Sequence, residues 1–267
     1  MIAAVGSSFT NCSKHKKTVS NNYKIDEIPV QVCYIDDNHK KGLLILSHGF
    51  NGNKEQWSDR IENFAEMGYY VLALDNRYHG ERKGITIAEK ILTNDGMIDI
   101  VKLRKAIDEN AQDISTLIDY FSANSLIDTS KIGMMGISMG GFITYSSLVR
   151  DPRISFAIPI ISSPYWDDIP EDARFLDSAE TRKNLEAYAL KNSPANRFER
   201  FYDRKIFALI GMNDTHFNPN RVVDFYDKLK LEHGTKCPDI KLNRYNVGHN
   251  VTETMWQDIE NWLSEEL

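Results

Sequence analysis

The segment Lys131–Gly141, KIGMMGISMGG, constrains the fold of this chain more than any other. Within it, Gly136-Ile137-Ser138-Met139-Gly140 fits the pattern G-x-S-x-G. An apolar run of strand character, Lys131–Ile137, leads in, and a run with helical spacing, Ser138–Val149, leads out. A buried strand that turns into a helix within one residue strains the backbone of that residue. Side chains flanking the turn would collide with the neighbouring strand and helix. Glycines at 136 and 140 remove those side chains, and Gly141 adds further room. The five-residue pattern alone is only suggestive, and its strand–turn–helix placement makes it a candidate nucleophile elbow.

The rest of the chain fits a sheet around that strand. Apolar runs at Ile28–Ile35, Gly42–Leu46, Tyr69–Leu74, Ile154–Ile161, Lys205–Ile210 and Ile240–Tyr245 read as strands. Segments with helical periodicity separate them: Lys54–Met67, stopped by Gly68, then about 98–121, Arg221–Leu231 and Thr252–Leu263. Short buried strands alternating with amphipathic helices predict an α/β fold with a mostly parallel sheet covered on both faces. Residues 1–22 are polar and rich in Ser, Asn and Lys, and read as a loosely held lead-in to a single domain over 23–267. Residues 162–204 break the rhythm: about 40 residues with prolines and aromatics but no strand pattern predict a lid inserted into the domain.

Composition narrows the class. Lys and Arg number 32 against 38 Asp and Glu, a net charge of −6, which offers no field to attract nucleic acid or anionic lipid. No apolar run approaches a membrane span, and the opening MIAAVGSSFTNC lacks the basic start and long apolar stretch of a signal peptide. Cys12, Cys33 and Cys237 are odd in number and far apart, so they read as free thiols in a reducing compartment, and a cytoplasmic location is expected. No dinucleotide fingerprint, phosphate loop, HExxH or Cys/His cluster appears, so no cofactor and no metal is implied. The expected partner is a small-molecule ester substrate. No oligomeric state is assigned.

A serine hydroxyl needs a base to take its proton, and a histidine base needs a carboxylate to orient it. Three histidines follow Ser138. His233 ends a polar helix, and His216 follows Asp214 too closely to be oriented by it in the usual way. His249, in the loop between the last strand and the last helix, is the candidate base. Asp214 follows the strand Lys205–Ile210 in Gly-Met-Asn-Asp and is the candidate acid, whereas Asp224 and Asp227 fall in a helix. An oxyanion needs two backbone N–H donors. Met139, after the nucleophile, supplies one. Phe50, in the His48-Gly49-Phe50 loop after the first buried strand, supplies the other, with Gly49 giving the backbone freedom. His48 packs that loop.

With these motifs in order (His48-Gly49-Phe50, Asp75-Asn76-Arg77-Tyr78-His79-Gly80, GISMGG, GMND and GHN), the chain resembles the α/β-hydrolases. The likeness covers about 24–267. It is greatest to small single-domain bacterial esterases related to dienelactone hydrolases and to the catalytic domains of prolyl oligopeptidases. It implies an eight-stranded, mostly parallel sheet with helices on both faces, the triad Ser138, Asp214 and His249, and the oxyanion amides of Phe50 and Met139. Two positions depart from the pattern. Dienelactone hydrolases carry cysteine at the elbow, and this chain carries Ser138, which argues against their substrate. Tyr78 stands where the usual turn has glycine, and is expected at the pocket rim, with His79 structural.

The function expected from the residues and the resemblance is a serine carboxylesterase acting on small or aromatic acyl esters, with Trp166 and Phe175 of the lid lining an apolar acyl pocket. An acyltransferase, thioesterase or peptidase would use the same residues, and a non-catalytic relative would usually lack one of them.

Overall fold

The computed structural model describes residues 17–82, 84, 86–172, 174–233, 235–236 and 239–266. Eight strands form one sheet: β1 (Lys17–Ile25), β2 (Ile28–Asp36), β3 (Lys41–Ser47), β4 (Tyr70–Leu74), β5 (Ile127–Ile137), β6 (Ile154–Ile160), β7 (Lys205–Gly211) and β8 (Ile240–Tyr245). Their order across the sheet is β1-β2-β4-β3-β5-β6-β7-β8. The β1–β2 and β2–β4 pairs are antiparallel, and all others are parallel. The α/β architecture expected from the sequence is present.

Two apolar layers sandwich the sheet, because alternate strand residues face opposite sides. Leu43 and Ile45 of β3 join one layer, and Leu44 and Leu46 the other. The first layer is closed by α3 (Ile100–Ser122), α4 (Met139–Arg150) and α6 (Pro219–His233). The second is closed by α1 (Ile61–Glu66) and α7 (Glu253–Glu265). The remaining helices are α2 (Ile87–Ile91), which opens with a Thr86–Glu89 capping box, and α5 (Ala179–Asn192), between β6 and β7. Among the described residues no helix is long and apolar enough to cross a membrane.

Two elements depart from expectation. Lys17–Asn22, read as the end of a loose lead-in, belongs to β1, and residues 1–16 lie outside the described residues. β1 sits at the sheet edge with only β2 beside it, and Lys17–Lys24 are exposed or half-exposed. Its ladder, not burial, holds it, so no apolar alternation announces it. The hairpin turns at Asp26 and Glu27, both with positive φ, a type I′-like turn written without the usual Asn-Gly. The helix expected over 54–67 divides into a 3-10 turn, Lys54–Trp57, and α1. The buried Asp75 carboxylate accepts from the Lys54 amide (2.8 Å) and lies 3.4 Å from its ammonium, which pins the start of that segment inward. Of the three cysteines, Cys33 is a buried free thiol that burial pushes up to about 11. Cys12 and Cys237 lie outside the described residues.

Candidate active site

Four loops meet at the carboxyl ends of parallel strands, where open α/β sheets place their ligands. They follow β3, β5, β7 and β8, and carry Phe50, Ser138, Asp214 and His249.

Ser138 connects β5 to α4 at φ 53° and ψ −114°, a strained conformation for a residue with a side chain. Its amide donates to the Ile160 carbonyl of β6 (2.9 Å), which fixes the turn. The flanking glycines are sterically required. A Cβ on Gly136 would lie 2.1 Å from the Gly140 carbonyl oxygen, and one on Gly140 would lie 2.1 Å from the Ser47 carbonyl oxygen at the end of β3. Ser138 Oγ lies 2.7 Å from His249 Nε2, and His249 Nδ1 lies 2.7 Å from Asp214 Oδ2. Asp214 is buried. Burial raises its carboxyl, but hydrogen bonds from His216 and His249 outweigh this and hold it below the usual carboxylate range. An ionised Asp214 accepts from Nδ1–H, which leaves Nε2 with its lone pair toward the serine hydroxyl. The arrangement can therefore draw a proton from Ser138.

The loop after β3 approaches this turn closely: a Cβ on Gly49 would lie 3.9 Å from Ser138 Cβ. That distance is ordinary contact and Gly49 has no positive φ, so the special backbone freedom expected of Gly49 is not used. The loop is fixed by side chains. The Gly49 amide donates to Gln56 Oε1 (3.0 Å), and His79 Nε2 bonds the Phe50 carbonyl. His48 accepts the Asn76 amide at Nε2 (3.0 Å), so its Nδ1 carries the proton given to the Gly49 carbonyl (2.7 Å). Burial lowers the His48 pKa to about 3, which keeps the ring neutral in this role. His79 also does more than shape its own turn, since it spans the Arg77 and Phe50 carbonyls. The Phe50 amide makes no hydrogen bond among the described residues. Met139, the first residue of α4, has no carbonyl one turn back within the helix to receive its amide. Both donors expected from the sequence are therefore unclaimed beside Ser138.

A cavity of about 670 Å³ opens over these residues. Phe50, Ser138, Met139 and His249 line it, together with Phe142 and one face of α3, namely Ile100, Leu103, Arg104 and Ile107. Phe175 is among the residues that line it. The 174–176 strap hydrogen-bonds Ile98 on both sides, from Ile98 N to Arg174 O (2.7 Å) and from Leu176 N to Ile98 O (2.9 Å). Trp166 does not line it. Its side chain is fully buried in the core layer, stacked on Tyr188 of the same 162–204 segment at 6.0 Å, because a large apolar ring gains more from the core there than from a solvated cavity. Tyr78 is not at the rim either; its hydroxyl bonds Glu109 of α3.

Two site residues escaped the sequence reading. His216 stacks on His249 with ring centroids 3.9 Å apart and places Nδ1 3.5 Å from Asp214 Oδ1. Its ring makes no hydrogen bond to that carboxylate among the described residues, as the short spacing predicts; its backbone amide donates to Asp214 Oδ1 (2.8 Å), and it is His249 that reaches Ser138. Arg104 lies on the buried stripe of α3. A charged residue at a core phase of an amphipathic helix was the available signal. Asp214, His216 and His249 also group closely enough to hold a metal ion, but both ring nitrogens of His249 are engaged, so a metal there would break one step of the Ser138–His249–Asp214 line.

This strand order, with a strand–serine–helix turn at its centre, is the architecture of the α/β-hydrolases, and the chain is an enzyme of that class. Comparison with known proteins gives the family. The model described as serine aminopeptidase, S33, matches residues 38–205, more than half of the chain and inclusive of Phe50 and Ser138. The chain belongs to that family. A curated relative, YitV of Bacillus subtilis, whose name carries an inferred esterase activity, is 26% identical over 248 residues, covering 86% of this chain and 92% of that protein. Among solved structures, TT1662 of Thermus thermophilus has a TM-score of 0.71 at 18% identity, covering 94% of this chain and 98% of that one. The Pyrococcus furiosus esterase Pf2001 has a TM-score of 0.65 at 20% identity, covering 99% and 97%. At these identities the structures show a shared fold.

Proposed function

We propose that this chain is a carboxylesterase that works through an acyl-enzyme on Ser138. The observation that carries the reading is the unbroken line from Ser138 Oγ through His249 to Asp214, 2.7 Å at each step, with Ser138 and His249 lining a cavity of about 670 Å³. In this reading Ser138 Oγ attacks the ester carbon as His249 Nε2 takes its proton. The oxyanion that forms is held by the Phe50 and Met139 amides. The C–O bond to the alcohol then breaks, and His249 returns the proton to the departing alkoxide. Water, activated by the same imidazole, releases the acid and restores Ser138. The 162–204 segment covers the cavity in this account, and Phe175 meets the acyl group.

The family description names an aminopeptidase, while YitV and Pf2001 carry the word esterase, so the cavity must decide between them. An aminopeptidase must receive a free α-ammonium, which calls for a carboxylate. No Asp or Glu is among the described residues that line the cavity, whereas Arg104 and Arg174 are. That supports an ester, neutral or anionic, over a cationic amine substrate. The buried free thiol of Cys33 supports a reducing compartment. The test is a panel of p-nitrophenyl acyl esters beside aminoacyl p-nitroanilides, with added alcohol and amine acceptors. Turnover of esters with water as acceptor, and none of the anilides, is expected. Turnover of anilides alone would overturn the reading.

A further inference from the structure

Among the described residues the guanidinium of Arg104 is a buried cation without an ion pair, set in the wall of the same cavity. Its side chain is 2% exposed, on the α3 face that lines the cavity with Ile100, Leu103 and Ile107. Guanidinium offers five N–H donors in a rigid fork. Among the described residues Arg104 uses two of them, Nε to the Trp166 carbonyl at 3.3 Å and Nη2 to the Asp168 carbonyl at 3.4 Å, both long. Nη1 makes no hydrogen bond there. The group rests 4.1 Å above the ring of Phe142, a residue whose amide bonds the Ser138 carbonyl one helical turn after the serine. Arg104, Phe142 and Ser138 thus line one cavity.

The nearest carboxylates belong elsewhere. Asp168 Oδ1 and Asp167 Oδ2 are each 2.9 Å from Arg221, and no carboxylate of the described residues forms an ion pair with Arg104. Those two aspartates act on Arg104 only at a distance. Burial lowers its pKa to about 10, so it stays charged at neutral pH. A cation kept dry with most donors unfilled is costly, and an anion arriving in the cavity would repay that cost with a charge-assisted, fork-shaped hydrogen bond. Its neighbours on the wall are apolar, so the rest of such a ligand is hydrocarbon.

We infer that Arg104 is a substrate-binding residue that receives a carboxylate carried by the ester substrate, and that the favoured substrates are carboxylate-bearing esters. This rests on the esterase reading of the same site. Substrate pairs that differ only in that charge test it. On the acyl side, the p-nitrophenyl monoester of adipic acid is compared with p-nitrophenyl 6-methylheptanoate, its neutral isostere. On the alcohol side, 3-acetoxybenzoate is compared with 3-isopropylphenyl acetate. The enzyme should prefer the charged member of at least one pair by roughly ten- to a hundredfold in kcat/KM, the range of a hydrogen bond to a charged group. In Arg104→Met the charged-to-neutral ratio should fall at least tenfold, and Arg104→Lys should keep part of it. Equal turnover within both pairs by the unaltered enzyme overturns the inference without any variant, as does a preference that persists in Arg104→Met. If no ester of either pair is hydrolysed while a fluorophosphonate still labels Ser138, the substrate inference fails alone. If Ser138 is not labelled, the esterase reading fails first.

Discussion

The imidazole of His216 lies face to face with that of His249, ring centroids 3.9 Å apart and planes 23° from parallel, and both rings address the carboxylate of Asp214. The carboxylate thus has two histidines on it, one of which reaches Ser138. Asp214 is buried, which raises its carboxyl, and hydrogen bonds from both histidines bring it below the usual range. A carboxyl depressed in the folded state adds stability above its unfolded pKa, near 3.9 for a free aspartate, and loses it as pH falls through the folded value. His216→Phe keeps a flat ring against His249 and the backbone bond from residue 216 to Oδ1 (2.8 Å), and removes only the ring nitrogen 3.5 Å from that oxygen. The folded-state pKa of Asp214 then rises toward the unfolded value, so the carboxylate contributes less stability above it and the protein reaches its acid midpoint sooner as pH falls. Acid unfolding followed by far-UV circular dichroism should show a midpoint at higher pH in the variant. An unchanged midpoint would show that His216 does not hold Asp214 ionised.

The two kinds of glycine around Ser138 should respond differently to a methyl group. In Gly140→Ala the Cβ would lie 2.1 Å from the Ser47 carbonyl oxygen, so the elbow and the end of β3 must move apart. A loss of about 3 kcal/mol or more is expected, beyond ordinary overpacking because backbone is the obstacle. Gly49→Ala places its Cβ 3.7 Å from the nearest atom, Ile137 O, and should cost under about 1 kcal/mol. Urea unfolding of both variants measures the contrast, and equal losses would contradict the packing account.

Phe175 and Trp166 were expected to act alike and are placed differently. Phe175 lines the cavity, and Trp166 is fully buried outside it. Phe175→Ala should change kcat/KM unevenly across acetate to octanoate esters, since each buried methylene is worth about 0.8 kcal/mol. Trp166→Ala should instead cost about 3–5 kcal/mol of stability and leave the acyl-length profile parallel to that of the unaltered enzyme. A parallel profile for Phe175→Ala would show that its ring only packs.

What the sequence made legible depended on periodicity and on chain order. The central strands were readable because β3, β4, β6, β7 and the second half of β5 are buried on both faces and so are nearly all apolar, and Ser138, Asp214 and His249 were readable because each follows such a strand or precedes a clear helix. β1 was not readable, since an edge strand exposed on both faces carries no alternation. The stacking of His216 on His249 depends on how two loops fold against each other, across a separation no local pattern encodes. Trp166 shows the same limit. Its aromatic character marked it for burial, but not whether it would face ligand or core. Arg104 was half legible: the helix was read, but the charge on its buried stripe was not questioned.

The central claim is that Ser138 Oγ takes the acyl group from the substrate, and covalent trapping tests it most directly. The protein is treated with a fluorophosphonate, digested and analysed by mass spectrometry, and ester turnover is measured for the unaltered enzyme, Ser138→Ala and Asp214→Asn. The adduct should fall on the peptide that carries Ser138 and be absent from Ser138→Ala. Turnover should drop by roughly ten-thousand- to a millionfold in Ser138→Ala, and by roughly ten-thousandfold in Asp214→Asn, where the amide favours the wrong tautomer of His249. An adduct on another residue, or near-normal turnover in Ser138→Ala, would contradict the account.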